Sequence, residues 1–362
     1  MTPMEQTIAR LNVVPGDIVG PLKGNHHETY AVRLGPDSGL PPHFAWVKFK
    51  DPRAHVFWFD RRCFKSEGLL LKSLRGRINN VPDVESLSGA TVQQFIEGHT
   101  LGSTRSPGET VPKQYIDQIL ERINQAVSVE PYELSHLERI CSKRDRAGAG
   151  NTGDFLLGLL RYTDKKVYRQ FRGEYGQLFD ALSIRRPLFR RFRKTVKSHR
   201  MASRSFSLLH ADLHSENFII DDFDQLWVID WELAMIGDPL YELATHLHLM
   251  KYPGEQEKEV RERWREAAGD TRFDATAGMD EDLPLLLAYK QLQSLCTDVV
   301  RQAMTLRTTR PLEREEQLAK SAGVIHEVLH QAGESLKLPI DTVPSPAAVN
   351  SICANWLTRT SR

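Results

Sequence analysis

The chain has 362 residues, of which 40% are hydrophobic and 26% charged, with a formal net charge of +1. That length exceeds one ordinary core and predicts two lobes, and the balance is that of a soluble globular protein. It excludes a strongly basic nucleic-acid binder by overall charge, and no apolar run reaches the ~18 residues of a membrane span.

The N-terminal stretch lacks the long apolar run of a signal peptide, so a cytoplasmic location is expected. Cys63, Cys141, Cys296 and Cys353 are widely spaced with no CxxC pair. This argues for reduced thiols rather than a disulfide framework or a zinc site. Residues 1–97 read as β-rich with one helix. Tyr30–Leu34 and Phe44–Phe49 are short β-prone runs flanking a turn-forming stretch, 35–42. Cys63–Leu74 reads as a helix with Leu70, Leu71 and Leu74 on its apolar side, and Ala90–Ile96 as another strand ended by Glu97-Gly98. Beyond residue 98 the pattern turns helical. Lys113–Val127 carries Tyr115, Ile119, Ile123 and Val127 at helical spacing, and residues 148–153, GAGNTG, read as a loop. Leu285–Leu306 reads as a helix with Pro284 as its start signal. Arg185–Arg204 holds nine Arg or Lys residues and no acid. A nucleic-acid contact is one reading; the preferred one is a basic helix whose Leu188, Phe192 and Val196 pack inward.

The chemistry lies in residues 206–232, FSLLHADLHSENFIIDDFDQLWVIDWE. Two apolar strands, Phe218–Ile220 and Leu226–Ile229, flank the polar turn 221–225 and predict a hairpin. An antiparallel pair brings Asn217, entering the first strand, and Asp230, leaving the second, to the same end. The preceding loop adds Asp212. Two acids and an amide oxygen suit Mg²⁺, a hard ion that leaves room for phosphate oxygens, and a further acid can take a proton from a hydroxyl. His210 and His214 stand four apart, as zinc ligands on a helix do, but they flank a loop and lack the HExxH glutamate.

His210-x-Asp212-x-x-x-x-Asn217, then Ile229-Asp230-Trp231-Glu232 and Gly237-Asp238-Pro239, resembles the catalytic core of the aminoglycoside phosphotransferase and choline kinase family, which is related to protein kinases. Glu242 stands where that family commonly has Asp. The resemblance implies an α+β, bilobal protein-kinase-like fold: a nucleotide-binding lobe over residues 1–97 and a larger, mainly helical lobe over 98–362 with the catalytic loop (206–232) and acceptor site. It implies Asp212 as base, Asn217 and Asp230 as metal ligands, and His210 as a brace for the loop. His214 takes the place of a lysine often found in protein kinases. Lys48 resembles the strand lysine that meets the α- and β-phosphates, with Lys50 on the same face as its rival. Glu67 is the expected ion-pair partner of Lys48. Gly24 and Asn25 resemble the turn over the phosphates, and Gln94 and Ile96 the adenine-reading hinge. The implied cofactors are ATP, or GTP in its place, and Mg²⁺. The implied partner is a small hydroxylated molecule, with no membrane or nucleic-acid role. Glu232, Asp238 and the region from about 130 to 185 are candidates for the acceptor side. The wording of HADLH and IDWELA looks most like bacterial antibiotic phosphotransferases; choline, homoserine or a sugar are the metabolic alternatives, and an inactive kinase-like binding protein is a further one.

Overall fold

The computed structural model describes residues 17–22, 27–52, 58, 60–87, 90–336 and 343–360. Five antiparallel strands form the N-terminal sheet: β1 (Ile18–Leu22), β2 (His27–Arg33), β3 (Trp46–Pro52), β4 (Val84–Leu87) and β5 (Ala90–Gln94), in the order β1-β2-β3-β5-β4. Alternation along β2 and β3 sends Val32, Val47 and Phe49 to one face, where they meet Phe44 and Val92 in a buried cluster. Lys48 and Lys50 therefore share the other face of β3. Strand β2 begins three residues earlier than expected, and β4 was not foreseen. It is an edge strand whose sequence, VESL, is half polar.

The first helix, α1 (Glu67–Leu74), starts four residues later than its apolar pattern suggested, because the Ser66 side chain accepts from Leu69 N at 3.2 Å and caps it. Residues 63–65 are instead extended and pair with 138–140: Phe64 bridges Arg139, and Ile140 N donates to Cys63 O at 2.9 Å. Helix α2 (Lys113–Ser128) follows the predicted span.

Strand β6 (His99–Thr100) joins the catalytic hairpin, β8 (Phe218–Ile220) and β9 (Leu226–Val228), in a three-stranded sheet, and β7 (Ser207–Leu209) pairs with β10 (Met235–Gly237). Phe218 faces Val228 in register, as the alternation required. Gly98 (φ 142°) is where β6 approaches closely: a Cβ there would lie 2.2 Å from Ile220 O.

The chain divides into two compact units, each with its own core. The first comprises Met1–Trp58, Arg62–Ser142 and Ser205–Ala275, so it holds the N-terminal sheet, α1, α2, the hairpin, α6 (Pro239–Met250) and α7 (Gly254–Thr271). The second comprises Phe59–Arg61, Lys143–Arg204 and Thr276–Arg362 and is helical among its described residues. It contains α3 (Thr152–Tyr162), α4 (Arg169–Ala181), α5 (Pro187–His199), α8 (Met279–Thr308), α9 (Arg314–Ser335) and α10 (Pro346–Thr360). Helix α8 begins before Pro284, which lies inside it rather than ahead of it; Gly278, at φ 62°, is its N-cap. In α5, Leu188, Phe189, Phe192 and Val196 are buried, so the apolar face of the basic stretch packs inward. Arg204 is itself buried and paired with Asp282 at 2.7 Å.

Candidate active site

The site lies within the first unit, where β3, α1, the β8–β9 hairpin and the loop before it meet. Hairpin register puts Asn217 opposite Ile229, whose N–H donates to Asn217 O at 3.0 Å. Asp230 follows at once, in the left-handed region (φ 65°) that a non-glycine residue occupies only when its surroundings impose it. The Asn217 amide nitrogen donates to Asp212 O at 2.8 Å and lies 3.3 Å from Asp212 Oδ2. Its Oδ1 is thereby left as the acceptor of that amide. The hairpin and loop thus bring Asp212, Asn217 and Asp230 together, as the motif spacing required.

His210 is buried and braces this arrangement. Its Nε2 donates to Ile229 O at 3.0 Å, and its ring lies edge-on to Trp231 at 4.6 Å. Burial depresses its pKa, against the opposing pull of Asp212, so it stays neutral. His214 Nδ1 accepts from Glu216 N at 3.2 Å, which turns Nε2–H toward Asp212 Oδ2 at 3.6 Å. Burial opposes protonation of His214, but the contact with Asp212 wins and raises its pKa. One residue before Asp212, Ala211 has φ 65°, and its buried N–H donates to Glu242 Oε2 at 3.0 Å and Oε1 at 3.3 Å. The acid in place of the family's Asp holds the loop by its backbone.

The ion pair expected between Lys48 and Glu67 is made by Lys50. Lys50 Nζ donates to Glu67 Oε2 at 2.7 Å and Glu232 Oε1 at 2.7 Å, and lies 3.3 Å from Asp230 Oδ1. Burial disfavours the Lys50 charge, yet the three carboxylates outweigh it and push its pKa far up. Lys48, half-buried on the same face, has its pKa lowered by burial and then by Lys50. Strand parity could not separate the two lysines; the reach of α1 and the hairpin does. Asp230 shows the converse: burial would raise its pKa, but Lys50 and Lys48 pull it well below the usual carboxylate range. Glu67 Oε1 also accepts from Trp231 N at 2.9 Å, so one carboxylate ties α1 both to β3 and to the segment carrying Asp230.

Glu232 and His27 enlarge the expected site. Glu232, considered for the acceptor side, is buried against Lys50, and its Oε1 lies 3.1 Å from His27 Nδ1. His27, read from the sequence as part of the tip of the phosphate-side turn, opens β2. Carboxylate oxygens of Glu67, Asp230 and Glu232 lie within 4.8 Å of one another, hard oxygen donors of the kind a divalent cation takes, and Lys50 Nζ contacts all three residues. Asp238, also considered for the acceptor side, is fully buried and accepts from Leu240 N at 3.0 Å as the N-cap of α6. Gln94 and Ile96 lie at the end of β5 and just after it. Gln94 is paired with Val47, its Oε1 accepts from Asp83 N at 3.2 Å, and Ile96 is buried. Gly24 and Asn25 fall outside the described residues.

The profile of the phosphotransferase enzyme family matches residues 77–281, more than half of the chain and the whole catalytic stretch. No curated protein matches. Among solved structures the chain is similar to a macrolide 2′-phosphotransferase type I, at 16% identity over 88% of this chain and 97% of that one, with a TM-score of 0.50. It also aligns with macrolide 2′-phosphotransferase MphH from Brachybacterium faecium (16% identity, 93% and 98% covered, TM-score 0.49). A choline/ethanolamine kinase family protein from Mesorhizobium loti aligns at 15% identity, with 96% of this chain and 99% of that one covered and a TM-score of 0.48.

Proposed function

This chain belongs to the phosphotransferase enzyme family and transfers a phosphoryl group to a hydroxyl of a small molecule; we propose that the donor is ATP, used with Mg²⁺, and that the acceptor is an antibiotic or related natural product. The observation that carries the reading is the meeting of Asp212, Asn217 and Asp230 beside the Lys50–Glu67 pair.

In this reading Asp212 accepts the proton of the attacking hydroxyl. The His214 Nε2–H and the Asn217 amide orient its carboxylate. Asn217 Oδ1 and Asp230, with Glu232 beside them, would hold the metal, which when bound neutralises phosphate oxygens of the nucleotide. Lys50 exchanges its contact with Glu232 for a phosphate while Glu67 keeps it in place. The backbone near Gln94 and Ile96 reads adenine. Phosphoryl transfer needs little covalent help from the protein, so positioning and charge supply most of the acceleration.

The antibiotic class rests on the wording of the catalytic loop and of IDWELA. A net charge of +1 and the pairing of Glu67 and Glu232 with Lys50 favour an acceptor with little positive charge over a polycation. The test is a mass-spectrometric screen of antibiotics and hydroxylated metabolites, incubated with protein, ATP and Mg²⁺, for a product heavier by one phosphoryl group. A phosphorylated sugar-containing or nucleoside antibiotic supports the reading. Phosphorylation confined to choline, homoserine or a simple sugar overturns the antibiotic assignment.

A further inference from the structure

Two of the four cysteines, 78 positions apart in sequence, are brought into direct contact by the fold. Cys63 Sγ and Cys141 Sγ lie 2.7 Å apart, both buried in the first unit. The backbone explains the contact. Residues 63–65 run antiparallel to 138–140: Lys65 N donates to Glu138 O at 3.0 Å, Phe64 bridges Arg139, and Ile140 N donates to Cys63 O at 2.9 Å. The ladder ends with Cys63 and Cys141 side by side. A salt bridge from Lys65 to Glu138 at 2.9 Å and the Arg139 guanidinium over the Phe64 ring at 5.6 Å hold the same pair of segments.

We propose that Cys63 and Cys141 form an oxidative modification site, a thiol pair that a peroxide converts to an intramolecular disulfide. The sulfur of one cysteine, as thiolate, attacks a peroxide oxygen and breaks the O–O bond, giving a sulfenic acid and, with a proton, one water. The other sulfur then attacks the sulfenic sulfur. The S–O bond breaks, a second water leaves, and the S–S bond forms. Two thiols are oxidised, one peroxide is reduced, and the protein loses two hydrogen atoms. Backbone pairing already holds the partners together, so the second step needs no rearrangement of the chain.

The position of the pair gives the modification a consequence. Cys63 lies three residues before Ser66, the cap of α1, and α1 begins with Glu67, which holds Lys50 and Trp231 N. A disulfide would fasten the entry of α1 to residue 141 and close a long loop in the unfolded chain. Cys296 and Cys353 are internal controls. Both are buried, burial pushes the Cys353 thiol up to about 11 and Cys296 higher still, and neither is part of the contact.

The experiment uses the full chain, reduced and then exposed to hydrogen peroxide, blocked with iodoacetamide under denaturing conditions and digested without reductant. The expected result is a cross-linked peptide joining Cys63 to Cys141, lighter by two hydrogens and split by dithiothreitol, with Cys296 and Cys353 alkylated. Alkylation of all four cysteines, sulfinic acid without a link, or a link involving Cys296 or Cys353 overturns the proposal. Thermal denaturation gives an independent reading. Oxidation should raise Tm by at least about 5 °C in wild type and in Cys296→Ser, as expected for closing a long loop. The rise should vanish in both Cys63→Ala and Cys141→Ser. A rise that persists in either variant assigns it to other chemistry and sinks the idea.

Discussion

Lys50 Nζ donates to Glu67 Oε2 at 2.7 Å, while Lys48 stands two residues earlier on the same face of β3. That relationship selects the lysine that α1 holds for the nucleotide. Replacing Lys50 by Met leaves Glu67 and Glu232 facing each other with no ammonium between them. Breaking a buried pair of this kind costs about 3–5 kcal/mol, and loss of a preorganised phosphate donor costs about 10²-fold or more in kcat/KM. Lys50→Met should therefore lower Tm and cut kcat/KM for ATP by at least that factor, whereas Lys48→Met should change kcat/KM by less than about fivefold. Steady-state ATP titrations with thermal denaturation decide it. A larger loss in Lys48→Met returns the phosphate contact to Lys48.

Asp212 and Asp230 should fail in different ways. Asp212→Asn keeps the contact with Asn217 but removes the proton acceptor, so kcat should fall about 10²–10⁴-fold with ATP affinity nearly unchanged. Asp230→Ala removes a ligand from the proposed metal site, so calorimetry should show Mg·ATP binding weakened far more than metal-free ATP binding. Equal losses for both ligands in Asp230→Ala would mean that the carboxylate acts on the fold and not on the metal.

Acid should weaken the fold through His246, which lies beneath the catalytic loop. Its Nδ1–H donates to Leu213 O at 3.1 Å, and its Nε2 accepts from Tyr252 OH at 2.9 Å, an arrangement only the neutral ring can make. Burial, opposed by the Leu213 contact, pushes its pKa down to about 4. The folded value is below the unfolded one of ~6.5, so the unfolded chain binds the proton more readily between them. The stability this provides is complete above about pH 6.5 and is lost as pH falls toward 4, a swing of about 3 kcal/mol. Tm measured from pH 8 to pH 4 should fall below pH 6.5, and His246→Gln should flatten that slope. An unchanged slope in the variant would move the effect to other groups, of which His210, also buried and depressed, comes first.

The catalytic hairpin could be read from the sequence because everything that defines it is local: two apolar triplets, a polar turn, and an Asn and an Asp at matching ends. Helix α2 was readable for the same reason, its apolar residues recurring at helical spacing. The misses depend on information that local pattern does not carry. Period-two alternation puts Lys48 and Lys50 on one face, and only the position of Glu67 on α1 distinguishes them. The apolar pattern of 63–74 runs through Ser66, but the cap and the pairing with 138–140 make the first residues extended. Glu232 was read as facing an acceptor, although the fold turns it to Lys50. His27 and Cys141 gain their meaning from partners 205 and 78 residues away, which are tertiary facts.

Glu242 offers the sharpest test of how the loop is held, because it acts on Asp212 without touching any reacting atom. Both of its oxygens face the N–H of Ala211, a residue at φ 65° and 3% exposed. Glu242 is itself only 1% exposed, so no solvent can replace it. Glu242→Ala leaves a buried donor unpaired, which costs about 1–3 kcal/mol, and frees Ala211 to leave its left-handed conformation. Asp212 would then shift, and a misplacement of about 1 Å at a reacting group is worth about 10² in rate. Glu242→Gln keeps a carbonyl oxygen to accept the Ala211 N–H, so its effect should stay within about tenfold. The expected order of kcat is wild type, then Glu242→Gln, then Glu242→Ala, with KM for ATP nearly constant, because Lys50 and Glu67 are untouched. Stopped assays at saturating acceptor, with Tm measured on each variant, separate this from simple destabilisation. If Glu242→Ala lowers Tm and leaves kcat intact well below its Tm, Glu242 supports the fold and does not position Asp212.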